Sequence, residues 1–418
     1  NIINKKFTFY NRFALIFIFG ILSVYGTVSG VSVSGVVANV RDLGPAIAGL
    51  IAGPIVGVGA GLIGSIHRYF LGGPTVVPCS LATLLSGLFG GIIYLIRKGK
   101  FIGILGAVIF SFLFELFHMF LVIIINGHTE ESLTIVKSCV IPMTTANAIG
   151  MAIFMLFSLN LIKERKIEAA KERIESELKV AHDIQMDFIP KIFPPFPQRT
   201  EFDIYATVEP AKEVGGDFYD FFFIDEDHLY FIIADVSGKG VPAALFMAVT
   251  KTLLKAKARV GLSPHEILYE VNNELCDKND AAMFVTSFCA ILDIKSSKVK
   301  YSNGGHNLPY FISREGEIKQ LENTPGIALG IMENAEFESR EFTVEKGDTF
   351  FLYTDGVNEA MDYKGNLFSY ERLERFLEKS KSLLPEEMTS GILSKIEKFT
   401  EGAVQSDDIT VLILKYYG

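Results

Sequence analysis

The sequence predicts two fold classes on one chain: an all-α polytopic membrane domain, then an α+β domain. Three observations carry this. Hydrophobic residues make up 49% of the 418 residues and are concentrated before residue 162. Within that region, apolar segments of spanning length lie near 13–30, 44–66, 78–96, 102–126 and 138–162. From residue 200 on, short strand-like runs mix with a few amphipathic helices and show no regular βαβ alternation, the pattern of helices covering antiparallel sheets. The boundaries drawn are 1–162 for the membrane domain, 163–195 for a helical linker and 196–418 for the second domain.

The apolar segments are too many for a signal peptide plus one anchor. Arg97, Lys98 and Lys100, and Lys163, Arg165 and Lys166, should be cytoplasmic, and the loop at Glu130-Glu131 outside. This makes the chain a multi-pass cell-membrane protein in the lipid bilayer, with its second half in the cytoplasm. Five full spans would place Lys5, Lys6 and Arg12 outside, against the positive-inside tendency. Segment 44–66 offers an alternative: Gly53-Pro54 interrupts it, so it could enter and return as two half-helices. The chain opens at Asn1, not Met, which suggests further sequence before it.

Polar residues inside this half mark a candidate ligand site. Arg41 and Arg68 flank segment 44–66, Cys79 follows, and Glu115 and His118 sit three apart on one helix face. Two arginines could clamp a small anion, a carboxylate or phosphate. Alternatively, the arginines are interfacial, and Glu115 and His118 pair with each other.

Residues 163–189 are charged, with a sparse apolar stripe of Ile167, Ile174, Leu178, Ala181 and Phe188. Spacings of seven suit a short coiled coil and hence a homodimer, although Lys171 and Gln185 fall on the seam. A plain helix lying on the next domain is the alternative. Pro190, Pro194, Pro195 and Pro197 end the helix.

In the second half, strand-like runs cover 203–208, 218–224, 229–235, 283–294, 298–303, 308–312, 349–354 and 409–416. Helix 241–258 has Pro242 in its first turn, and helix 263–276 opens on the capping box Ser263 to Glu266. Four motifs stand out: Gly215-Gly216-Asp217-Phe218, Asp235-Val236-Ser237-Gly238-Lys239-Gly240, Thr354-Asp355-Gly356 and Ser406-Asp407-Asp408-Ile409-Thr410. Alone, each aspartate reads as turn chemistry. Together, carboxylates at strand ends can converge, and they repel one another unless a hard divalent cation neutralises them. Oxygen-only ligands suit Mg²⁺ or Mn²⁺, so the set points to a metal-dependent hydrolytic centre.

Two resemblances sharpen these readings. Val40-Arg41-Asp42-Leu43-Gly44-Pro45, Gly61 to Tyr69, and Leu71-Gly72-Gly73-Pro74 with Pro78-Cys79 resemble the five-span sensor module of LytS-type receptors over roughly residues 10–165. The four aspartate motifs, with Asn303 to Asn307 and Gly326 to Gly330, resemble the PPM superfamily of metal-dependent phosphatases, in its SpoIIE-like branch, over 196–418. That likeness implies two facing antiparallel sheets flanked by helices, with two Mn²⁺ or Mg²⁺ ions between them. By the resemblance, Asp235 bridges both ions, Asp217 and the Val236 carbonyl hold one, and Asp355 and Asp407 hold the other. It implies hydrolysis of phosphoserine or phosphothreonine on a phosphorylated regulatory protein, in this branch often an anti-anti-sigma (STAS) protein. Asp408 falls where many members carry Asn, which suggests a supporting role. Ser237 replaces a His common in eukaryotic members, and the phosphate-gripping arginine has no evident counterpart. Lys212 or Lys239 could take its place, and His306 is expected to be structural.

The net charge of −9 argues against nucleic acid as a partner. Cys276 and Cys289 read as buried free thiols. Two rivals stand beside the enzyme: a receptor whose phosphatase-like domain only binds partners, and a nucleotide cyclase, suggested by Gly215 to Phe218 alone.

Overall fold

The computed structural model describes residues 8–33 and 36–418, in two units that meet between Lys171 and Glu172. The first unit contains α1 (Phe9–Val28), a short antiparallel hairpin β1 (Val31–Val33) and β2 (Val36–Ala38), α2 (Leu43–Ala52), α3 (Pro54–Phe70), α4 (Val76–Ile96), α5 (Ile104–Asn126) and the start of α6 (Glu130–Phe188). Of these, α1, α4, α5 and α6 are long and apolar enough to cross a membrane. Arg12 lies in α1, whereas Lys5 and Lys6 fall outside the described residues.

Segment 44–66 is not one continuous helix. Gly53, at φ 89°, ends α2, and Pro54 opens α3. A Cβ added at Gly57 would lie 2.7 Å from the Gly49 Cα. In a straight helix, residues eight apart are separated by about 12 Å, so α3 folds back along α2. The hairpin then packs on α4 through small residues: a Cβ on Gly87 would lie 2.0 Å from the Gly57 carbonyl oxygen. Without a hydrophobic drive between helices in lipid, such close backbone approach supplies the packing.

The last apolar segment and the charged linker form a single helix. α6 runs 59 residues, with Pro142 inside it, and ends before Pro190. Ile167, Ile174 and Phe188 are exposed along it.

The second unit holds two five-stranded antiparallel sheets. One has the order β10 (Arg340–Thr343), β7 (Lys298–Gly304), β6 (Val285–Asp293), β5 (His228–Val236), β4 (Phe218–Phe223). The other runs β3 (Phe202–Glu209), β12 (Ile409–Tyr416), β11 (Thr349–Tyr353), β8 (Tyr310–Ile312), β9 (Ile318–Gln320). Period-two alternation decides what each face meets. Phe350, Leu352, Leu412 and Leu414 join Phe231, Ile233 and Phe288 in a core between the sheets, where Phe231 meets Phe350 edge-on at 5.9 Å. The opposite-facing Phe351, Tyr353, Val411 and Ile413 pack with α10 (Tyr370–Ser380) and α11 (Pro385–Phe399). Residues Met247 and Leu254 of α7 (Val241–Lys257), and Ile267 and Val271 of α8 (Pro264–Cys276), cover the outer face of the first sheet. All four cysteines are free; Cys289 is buried, but Cys276 is only half-buried, correcting the expectation for it.

Candidate active site

Two aspartates come from each sheet. Asp217 immediately precedes β4, and Asp235 lies near the end of its neighbour β5. Asp355 opens the short helix α9 (Asp355–Asn358) directly after β11, and Asp407 lies two residues before β12, the partner of β11. Antiparallel pairing puts these ends on one side of the sandwich. A hydrogen bond across the sheets fixes the meeting point: the Thr410 hydroxyl of β12 donates to Asp217 Oδ2 at 2.6 Å.

Asp408 clamps the loop that carries Asp217. Its Oδ1 accepts from the Ala211 amide at 2.8 Å, and its Oδ2 from the Gly216 and Asp217 amides at 2.7 and 3.3 Å. Glycine is required where backbones touch. A Cβ on Gly356 would sit 1.9 Å from the Asp408 carbonyl oxygen, and one on Gly216 2.8 Å from that of Val236. On the loop's other side, the Gln185 side chain of α6 donates to the Gly215 carbonyl at 2.6 Å and accepts from its amide at 3.1 Å. His182 Nδ1 lies 2.7 Å from the Glu213 carbonyl oxygen.

The electrostatics show carboxylates short of counter-charge. Burial, then Asp235 and Asp408, hold the Asp217 carboxyl well above its usual range. Burial, then Asp355, raise Asp235 to about 7. Burial and Asp407 raise Asp355. Lys239 Nζ lies 2.9 Å from Asp407 Oδ2 and also donates to the Ser406 carbonyl. No three of the aspartates bring carboxylate oxygens within 4.8 Å of one another among the described residues. An all-oxygen donor set with this uncompensated charge fits hard divalent cations. Asp235 favours its protonated form in the folded state, so its contribution to stability is full below the unfolded value of 3.8 and is lost as pH rises through about 7. Chelator-treated protein should therefore melt at lower temperature at pH 8 than at pH 5. Added Mn²⁺ should remove most of that slope, and scanning calorimetry across pH with and without the ion checks both.

Other expected residues take clear places. The Ser237 hydroxyl accepts from the Phe284 amide at 2.9 Å. His306 is buried, with Nδ1 2.8 Å from the Thr286 hydroxyl, and burial lowers it to about 4, which keeps it neutral. Lys212 is exposed in the loop before Asp217. Sequence reasoning missed Thr410 and Gln185 as site-holding residues. Alternation from Asp408 puts Thr410 on the same strand face, and a buried polar residue on the helix seam was the signal for Gln185.

In the membrane half, Arg41, Cys79, Glu115 and His118 meet, joined by Asp42. His118 Nδ1 is 3.0 Å from both Glu115 Oε1 and Asp42 Oδ2, and its Nε2 is 3.4 Å from Cys79 Sγ. Arg41 Nε donates to Thr83 at 2.6 Å. Arg68 does not join them. It sits in the last turn of α3 and donates to the Gly72 carbonyl and the Thr75 hydroxyl at 2.6 and 3.2 Å, satisfying the loop beyond its own helix end. Of the two arginines offered for a clamp, only Arg41 lies in this cluster, and Glu115 and His118 pair as the alternative reading had them.

Comparison with known proteins agrees with this fold. Residues 225–417 match the family described as Stage II sporulation protein E (SpoIIE), and residues 1–161 match the 5TMR of 5TMR-LYT family. The phosphoserine phosphatase RsbU of Bacillus subtilis (strain 168) is 28% identical over 254 residues, 60% of this chain and 74% of that protein. The sensor protein LytS of Bacillus cereus is 39% identical over 149 residues, 34% of this chain and 24% of that protein. The SiaA-PP2C domain of Pseudomonas aeruginosa superposes with a TM-score of 0.53 at 22% identity, over 59% of this chain and 99% of that one, which establishes the fold of the second unit. The chain thus joins a segment, residues 1–161, that matches the sensor module of LytS-type receptors to one, residues 225–417, that matches the SpoIIE-type phosphatases, a serine/threonine phosphatase domain of the PPM kind.

Proposed function

We propose that this protein is a cell-membrane sensor whose cytoplasmic phosphatase domain dephosphorylates phosphoserine or phosphothreonine on a regulatory protein of the anti-anti-sigma (STAS) type, under control of a signal received in the membrane half. The observation that carries the reading is the convergence of Asp217, Asp235, Asp355 and Asp407 from two sheets at one end of the sandwich. Asp235 would hold two ions, Mn²⁺ or Mg²⁺, together with Asp217 and the Val236 carbonyl on one side and Asp355 and Asp407 on the other. Such ions, when bound, supply the Lewis-acid charge that phosphoester hydrolysis needs. The chain's own residues then have defined tasks. Asp408 and Thr410 keep Asp217 aimed inward. Lys239, beside Asp407, offers a cation to the phosphoryl oxygens, and Lys212 a more remote one.

The signalling part of the proposal rests on α6. It begins among the apolar helices, and its last turns hold Gly215, two residues before Asp217, through Gln185. A shift of that helix would move the loop. The exposed stripe at Ile167 and Ile174 suits pairing with a second copy. Arg41, whose Nη1 and Nη2 are buried without a hydrogen-bond partner, suits a small anion as the sensed ligand.

The test is phosphate release from a phosphoserine-bearing STAS protein by the full-length protein with Mn²⁺. Release is expected, and its absence from folded, metal-loaded protein would favour a partner-binding module instead. Gln185→Ala should lower turnover by about 10–100-fold, as losses of residues that orient metal ligands commonly do. Unchanged turnover, and an unchanged response to the membrane half, would remove α6 from the mechanism.

A further inference from the structure

We propose a second metal site, inside the membrane half: a divalent transition cation of the zinc class, held by Asp42, Glu115 and His118. The proposal stands apart from the phosphatase reading, because it uses none of the catalytic residues.

Four elements bring the ligands together. Asp42 precedes α2, Glu115 and His118 lie on α5, and they are held from α4 and α6. Each carboxylate has its two oxygens divided between two tasks. Asp42 Oδ1 accepts from the Thr83 hydroxyl at 2.7 Å, and Glu115 Oε2 from the Asn147 amide at 3.2 Å. The other pair, Asp42 Oδ2 and Glu115 Oε1, converge on His118 Nδ1, each 3.0 Å away, and one ligand atom from each of the three residues lies within 4.8 Å of the others. All three residues are buried, with exposures of 4, 1 and 0%. Of the converging pair, Asp42 Oδ2 receives no aligned hydrogen bond, and one further buried polar atom, Asn147 Oδ1, has no hydrogen-bond partner. On the far side of the imidazole, Nε2 faces Cys79 Sγ at 3.4 Å. An Nε2–H donated to sulfur leaves the Nδ1 lone pair directed at the two carboxylates, the way outer partners orient a histidine ligand.

In that tautomer three lone-pair donors point at one place and repel unless a cation lies among them; in the other, Nδ1–H donates to Glu115 Oε1 at 3.0 Å. Imidazole with two carboxylates suits zinc and its neighbours, whereas the all-oxygen aspartate centre suits Mg²⁺ or Mn²⁺. Charge counting agrees. Arg41, two carboxylates and a neutral imidazole sum to −1. A divalent ion makes the cluster +1, and one small anion on the unpartnered Arg41 nitrogens brings it to zero, the inexpensive state within a bilayer. The ordinary competitor is a protonated His118 bridging the two carboxylates with no metal.

The experiment uses the full-length protein in lipid nanodiscs, equilibrated with Zn²⁺ in excess Mg²⁺ and then desalted. Zinc content and X-ray absorption at the zinc edge are read. One retained zinc with an imidazole ligand is expected, and the aspartate centre, whose proposed ligands include no histidine, cannot supply that signature. Asp42→Asn and Glu115→Gln, near-isosteric changes that preserve packing, should each weaken zinc retention by at least about tenfold while the protein stays monodisperse. Equal zinc in the parent and both variants, or bound zinc without an imidazole signal, would overturn the site and leave an imidazolium–carboxylate cluster only.

Discussion

Asp235→Ala and Asp355→Ala should each abolish phosphate release and leave the domain folded. Residues that merely orient metal ligands are worth about 10–100-fold in affinity or activity, so loss of a ligand should exceed that range. The folded state should not suffer. Asp235 is held at about 7 by burial and by Asp355, and Asp355 is raised by burial and Asp407, so each is a liability to the metal-free protein at neutral pH. Removing either relieves repulsion, and the chelator-treated variant should melt no lower than the chelator-treated parent. The paired outcome separates ligand from scaffold: a structural aspartate would lose stability and activity together. Turnover near the parent's in either variant would sink the assignment. Calorimetry alongside phosphate release reads both halves.

The second large effect lies beneath the site. Lys251 of α7 reaches Asp220 of β4, three residues beyond Asp217, with side chains only 8 and 5% exposed. Burial lowers Lys251 below its usual range, with Asp220 opposing the shift. Two buried charges recover their desolvation only through each other, so removing one partner typically costs about 3–5 kcal/mol. Lys251→Met should therefore destabilise the catalytic unit by that amount, because Asp220 is stranded. The double variant Lys251→Met with Asp220→Leu should recover most of the loss, since a packed apolar pair avoids the desolvation altogether. Denaturant titration of both variants checks this. Equal loss in single and double variants would mean that the pair is not the cause. A stranded charge at β4 should also loosen Asp217, so Mn²⁺ affinity is expected to fall in the single variant and return in the double.

Much of this molecule is written locally. Apolar runs of bilayer length, Ser263-Pro264-His265-Glu266 at the start of α8, and Pro190 after α6 each act through neighbours a few residues away. The strand runs 229–235, 349–354 and 409–416 match β5, β11 and β12 within one residue, because burial on both faces makes them continuous apolar stretches. β9 and β10 were missed, since strands of three and four residues with mostly exposed side chains carry no periodic signal. The order of the four aspartate motifs also belongs to the sequence, and it is enough to name the chemistry.

What the sequence could not say is which side chains hold those aspartates. Asp408 reaches an amide 197 residues away, Thr410 crosses from the opposite sheet to Asp217, and Gln185 leaves a helix seam to grip Gly215. Likewise, the fold-back of α3 on α2, the turning of Arg68 to its own loop, and the gathering of Asp42 with Glu115 and His118 depend on packing between distant segments. Period and propensity report a residue's near neighbours along the chain. A carboxylate's partner is chosen by which backbones come close in space, and only the folded chain brings them there.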